Sequence, residues 1–202
     1  MYGRTLVAAS LLALTTATTA AAQARSTTQG LHLGLALNGS SIDLTDSRLE
    51  EDIEAESGAG LNFSIGYGFT PQLGILLTAA GANMNDAGDG YTLGQADIAG
   101  RFSFANPSRA FVPYIELGFA GLSLQDEFEG ETLEFQGSGF TGAAGFNYFF
   151  SPQAALDLNF RFTKGEFNEF KFGDESESDD DGVKVNTGRV NLGLSFFPRG
   201  GR

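Results

Sequence analysis

The chain has 202 residues, with 28 Gly, 19 Phe and 5 Tyr but neither Cys nor Trp. Its formal net charge of −13 argues against a nucleic-acid partner, because a phosphate backbone is bound by surplus Lys and Arg. The lack of Cys excludes disulfides and thiolate-held metal, and Gly and Phe exceed their share in an ordinary soluble domain, where Gly is about 7 %.

The opening "MYGRTLVAASLLALTTATTAAAQA" places Arg4 before an apolar run over 6–14 and ends on Ala22-Gln23-Ala24. That order predicts a secretory signal peptide over 1–24. A spanning helix needs about 20 predominantly apolar residues, and Thr15, Thr16, Thr18 and Thr19 break the run too early. No Cys follows the expected cut, so a lipidated N-terminus is not expected.

From there the chain alternates with a period of two. In "LHLGLALN" (31–38), Leu31, Leu33, Leu35 and Leu37 share one side, with His32, Gly34, Ala36 and Asn38 on the other. "LNFSIGYGF" (61–69) sets Leu61, Phe63, Ile65, Tyr67 and Phe69 against Asn62, Ser64, Gly66 and Gly68. The same pattern returns, more weakly at 73–80, then at 95–104, 111–120, 140–150, 155–163 and 189–196. Alternation of this kind is the mark of a strand with two unlike faces. It predicts eight strands, at roughly 30–42, 59–69, 73–83, 91–104, 111–124, 138–150, 154–164 and 184–197. No segment of useful length has helical spacing. The connections at 70–72, 105–110 and 151–153 are tight and carry Pro71, Pro107 and Pro152, where a fixed φ helps and no ladder donor is needed. Those at 43–58, 84–90, 125–137 and 164–183 read as long polar loops. Short turns at one end and long loops at the other suit an up-and-down meander.

The two faces differ in bulk. The small or polar set fits the interior of an eight-stranded barrel, which is just wide enough to be filled by side chains; the large aromatic set does not. All strand charges fall on the small side: Asp97, Glu116 and Asp157 against Arg101, Arg161 and Arg189. Three of each sign are expected to form an interior ionic network, since an unpaired buried charge costs several kcal/mol. Tyr67, Phe69, Phe102, Phe104, Phe111, Tyr148, Phe149, Phe150 and Phe196 cluster beside the tight turns, as an interfacial girdle would. The bulky face is therefore expected to meet lipid. A sheet in lipid must close, because unpaired edge groups find no water there, and eight strands make the smallest such barrel.

The segments "DIAGRFSF" (97–104), "FVPYIELGFAG" (111–121), "GFNYFFSP" (145–152) and "LDLNFRFT" (156–163) resemble the hairpins of the small outer-membrane β-barrel proteins, the OmpA/OmpX-type domain. The final "VNLGLSFF" (190–197) is similar to the C-terminal signal that such proteins present to the barrel assembly machinery. The resemblance covers about 30–197. It implies an all-β, eight-stranded, antiparallel transmembrane barrel spanning 25–202, in the cell outer membrane, with both termini periplasmic and the long loops extracellular. The chain departs from the family in ending "PRGGR" after the aromatic, and in placing Asn147 where many relatives carry an interior carboxylate.

Of 25 acidic residues, 22 fall in the four long connections. The densest run, "GDESESDDDG" (173–182), puts Glu177, Asp179 and Asp181 at spacings that suit Ca²⁺ or Mg²⁺. The twelfth position of such a loop would be Gly188 rather than Glu, so the motif fails, and a solvated acidic loop is the plainer expectation. A looser association with lipopolysaccharide phosphates through divalent cations remains open. The single His32 cannot assemble a triad or a His-based metal site by itself, so neither catalysis nor a cofactor is expected. The function expected is structural or surface-interacting, by a monomer partnered with outer-membrane lipid. A narrow pore for water or small solutes and an adhesin are alternatives, and a soluble lipocalin-like periplasmic barrel is a weaker one.

Overall fold

A computed structural model describes residues 27–45, 56–85, 90–106, 108–128, 131–172 and 175–198. The expected signal peptide, 1–24, lies outside the described residues. Eight strands follow in chain order: β1 (Gly30–Thr45), β2 (Glu56–Gly68), β3 (Leu73–Asn85), β4 (Gly90–Ser103), β5 (Phe111–Phe128), β6 (Glu131–Phe149), β7 (Ala154–Phe172) and β8 (Glu175–Phe196). Each pairs antiparallel with its neighbours, and β8 returns to β1 to close the barrel. Within the stretch where β1 pairs with β8, Leu33–Thr45, closure leaves no open sheet edge, which a sheet in hydrocarbon requires.

The register fixes the barrel's dimensions. From Leu117 in β5 the pairing passes through Gly100, Ile75 and Tyr67 to Leu31 of β1. In the other direction it passes through Gly142, Phe162 and Gly188 to Ser41 of β1. The sheet is thus staggered by ten residues on closing (41 − 31). With strands ~4.8 Å apart and residues ~3.3 Å apart, eight strands at this stagger tilt about 40° and close at a radius of about 8 Å. Once the backbone is in place, only side chains fit inside.

Exposure settles which face is which. Leu117 and Phe140 are 72 % and 71 % exposed on the outside, while Glu116, Asp97 and Arg161 are 1 %, 3 % and 5 % exposed within. Leu35, Phe63, Phe160 and Leu192 are likewise outward and exposed. The outer apolar belt starts at a girdle of Tyr67, Phe69, Phe102, Phe104, Phe111, Tyr148, Phe150 and Phe196, and ends at Leu37, Leu61, Phe119, Phe140 and Phe162. At that tilt each residue rises roughly 2.5 Å along the barrel axis. The belt is therefore about 23 Å deep, close to the ~25 Å apolar band of outer-membrane barrels.

Two features depart from the sequence-based expectation. Phe149 does not join the girdle. It is fully buried inside the barrel, because Tyr148 and Phe150 point outward and strict alternation turns the residue between them inward. The connections at 125–137 and 164–183 are not long loops either. β5 and β6 continue to Phe128 and Glu131, and β7 and β8 to Phe172 and Glu175, so only 129–130 and 173–174 separate the strands. The β5–β6 ladder continues in register, from Gln125↔Glu134 to Phe128↔Glu131, and the β7–β8 ladder resumes after a register shift at Phe167/Glu169, from Glu169↔Ser178 to Phe172↔Glu175. Backbone pairing needs no lipid, so the hairpins run on beyond the belt after the apolar face stops.

Candidate functional site

The interior is built in layers, all from the inward set of alternating residues. At the short-turn end Val112, Phe149, Ala155 and Phe197 form an apolar plug, and the His32 ring stacks on Phe197 at 4.7 Å between centroids. At the hairpin end Ile42, Ala82, Met84, Leu93, Leu122, Phe167 and Val185 form an apolar cap. Between them lies a polar zone. The structure thus closes with greasy side chains both mouths of a barrel whose middle is ionic.

The polar zone brings together five of the six expected charges. Asp97 accepts from Arg189 Nη2 at 2.5 Å and lies 3.7 Å from Arg161 Nε. Glu116 accepts from Arg101 Nε at 2.6 Å through one oxygen and from Arg161 Nη2 through the other. Arg161 therefore bridges two acids, and β4, β5, β7 and β8 are tied across the lumen. Charge-assisted bonds of this type are the stronger ones, and in a dry lumen each acid needs its cation to offset desolvation.

Asp157 stands apart from this cluster. It makes no ion pair among the described residues. Its carboxylate accepts from Tyr114 Oη at 2.7 Å, Ser195 Oγ at 3.1 Å and Asn159 Nδ2 at 3.3 Å. The link to charge is indirect, since the Arg101 guanidinium lies 4.0 Å over the Tyr114 ring. Arg101 is committed to Glu116, and the hydroxyls supply donors enough for Asp157. Tyr114 has room only because Gly145 faces it: a Cβ at that position would lie 2.9 Å from the ring and 2.6 Å from Asn159 Cβ.

Neutral groups complete the zone. Asn62 donates to Asn191 and Asn191 to Asn159, each at 2.8 Å. Gln95 donates to Asp97 and to Thr163 at 2.8 and 2.7 Å. Sequence reasoning missed these ladders, because they join strands far apart in the chain. Two interior voids, one beside Arg101, Asp157 and Arg161 and one beside His32 and Phe197, hold about 20 Å³ each, room for a single water.

Ser195 is a second residue that sequence reasoning missed. It lies 2.9 Å from His32 Nε2 and also contacts Asp157, which puts Ser, His and Asp within one chain of contacts. The order is wrong for a nucleophile. Ser195 sits in the middle and gives its proton to Asp157, a carboxylate that can only accept. Its oxygen must then accept from Nε2–H, which leaves His32 no lone pair with which to activate it; a triad needs His between the other two. The Glu177, Asp179 and Asp181 positions fall within β8 rather than in a loop, and their side chains lie outside the described residues. Among the described residues no group of three His, Asp or Glu side chains is arranged to hold a metal ion.

A closed eight-stranded barrel with a lipid-type exterior is one geometry that many chains share. The family model described as "Outer membrane protein beta-barrel domain" matches residues 10–196. The chain belongs to the outer-membrane β-barrel family. Its place is therefore the cell outer membrane. Among solved structures it is similar to the Neisserial surface protein A, at 15 % identity and a TM-score of 0.60, covering 81 % of this chain and 96 % of that one. It is also similar to the outer membrane protein OprG from Pseudomonas aeruginosa, at 15 % identity and a TM-score of 0.58, covering 86 % and 98 %. At that identity the likeness concerns the fold alone. No curated protein matches the chain by sequence.

Proposed function

We propose that this protein is a sealed outer-membrane barrel with a structural and surface-interacting role rather than a conduit or an enzyme. The observation that carries the reading is the layered interior. A solute would have to pass the cap around Met84 and Phe167, the Arg101–Glu116–Arg161–Asp97–Arg189 cluster, and the plug around Phe149 and Phe197. Asp157, held by three neutral donors, anchors the lower end of the same polar zone.

In this reading 1–24 is removed as a signal peptide, and the termini and short turns face the periplasm. The barrel assembly machinery takes the chain by its last strand, with Phe196, the outward one of the two final aromatics, as the recognised residue. The hairpins of β5–β6 and β7–β8 stand outside the cell as one four-stranded sheet. Among the described residues its β8 edge has no β1 partner beyond Lys184, and this favours attachment to another surface by strand addition. The acids of 173–182 keep that edge from pairing with copies of itself, and they draw divalent cations that associate it with lipopolysaccharide.

Planar-bilayer conductance tests the seal. Wild-type protein is expected to give no current steps above the bare bilayer, and Arg161→Ala small, brief ones at most, because the two apolar layers remain. Steady steps from wild type would move the protein to the pore class.

A further inference from the structure

All three lysines of the chain, Lys164, Lys171 and Lys184, lie on β7 and β8. Their setting is otherwise strongly acidic. Lys164 and Lys184 point outward and are exposed, and neither makes an ion pair or a side-chain hydrogen bond among the described residues. Lys164 pairs in register with Asn186, so Lys184 is its diagonal neighbour, about 7–8 Å away. On β7, Lys164 is the next outward residue above Phe162, where the apolar belt ends. From the tilt, Lys164 sits at the hydrocarbon edge and Lys184 roughly 8 Å above it. That is the depth of lipid headgroups.

The two lysines share a groove on the barrel's outer wall. Its floor is Gly139 and Gly165, its lower wall Phe119 and Phe140, and its upper wall Lys164 and Lys184. The two Phe rings pack at a tilt of 44° with centroids 5.0 Å apart. Asn168 closes the groove from above, at a bulge where it pairs with neither β6 nor β8. Bulges of this kind re-aim side chains and mark designed positions. Glu166 lies between the lysines on the same face and opposite Lys184 in register. It offsets part of their charge and leaves the groove a net single positive.

We propose that this groove holds one phosphorylated, acylated glycolipid of the outer leaflet. Lys164 and Lys184 take its phosphate directly, and an acyl chain lies along Phe119 and Phe140. The proposal rests on the outward orientation of the hairpins given above. The acidic hairpin end repels an anion, and Lys164 and Lys184 are the outward cations at that end among the described side chains. An apolar wall directly beneath two cations matches a ligand with a phosphate above an acyl chain. Direct contact between ammonium and phosphate needs no metal, which separates this site from cation-bridged association with the acidic hairpin.

The test is binding of fluorescent lipopolysaccharide to the full barrel in detergent, in excess EDTA, with dephosphorylated lipopolysaccharide and inorganic phosphate as the other ligands. Wild type is expected to bind the phosphorylated form. The double variant Lys164→Gln/Lys184→Gln should lose about tenfold in affinity, as befits two ionic contacts at a low-dielectric edge, and Glu166→Gln should gain. Dephosphorylated lipid should bind wild type as poorly as the double variant binds the native form. Inorganic phosphate alone should not compete, because it lacks the acyl chain; competition would instead mark a plain anion site. Equal binding by wild type and the double variant, or equal binding of dephosphorylated lipid, overturns the site. Heat-dependent gel migration of each variant reads barrel integrity separately. A wild type that never shows the folded band would remove the outer-membrane reading itself, not only this groove.

Discussion

At the scale of single residues, the decisive positions are the buried charges. Glu116 has two guanidiniums, from Arg101 and Arg161, while Asp157 has only neutral donors. Removing one partner from a buried pair leaves an uncompensated charge and costs about 3–5 kcal/mol. Glu116→Gln is therefore expected to lower stability by about that amount in urea unfolding from lipid vesicles. Asp157→Asn is expected to cost only about 1–3 kcal/mol, the penalty for impaired hydrogen bonds. Equal losses would mean that Asp157 carries charge compensation that the geometry does not show. The identity of the interior charges was legible in the sequence, because parity alone puts Asp97, Glu116, Asp157, Arg101, Arg161 and Arg189 on the small face. Their partners were not. Asp97 and Arg189 are 92 residues apart in the chain and meet only through the ten-residue stagger, which no local pattern encodes. The contact of Ser195 with His32, across 163 residues, was hidden for the same reason.

At the scale of strands, the alternation was read correctly within the bilayer and too narrowly beyond it. Where the strands leave the lipid, the chemistry of the two faces exchanges. Ile42, Met84, Leu93, Leu122, Phe167 and Val185 occupy inward positions that are polar lower down, while Lys164, Glu166 and Thr92 point outward. In water a barrel buries its apolar face, as any soluble sheet does; in lipid it shows that face outside. The sequence does carry this exchange of parity, but it reads as the end of a strand unless the second solvent is considered. The belt itself makes a prediction. Leu35 lies near mid-belt and is 60 % exposed, so Leu35→Arg is expected to cost about 2–4 kcal/mol in the same unfolding measurement. An equal cost for Ser138→Arg, above the belt, would misplace the bilayer.

At the scale of the whole molecule, three layers inside and one belt outside follow from a single choice, that bulky residues go out and small or ionic ones go in. The eight-stranded radius leaves no room for the opposite arrangement. The seal, the girdle and the charge cluster depend on that choice together. Because the chain has no Cys, single cysteines report on it without background. The most direct measurement is quenching by brominated lipid of a fluorescent label on Leu35→Cys, Phe160→Cys and Leu192→Cys, compared with Lys184→Cys above the belt. Strong quenching at the first three, with weak quenching at the fourth, is the result predicted. Labels at Leu35, Phe160 and Leu192 that brominated lipid does not reach would contradict the outward apolar face and, with it, the membrane-spanning barrel.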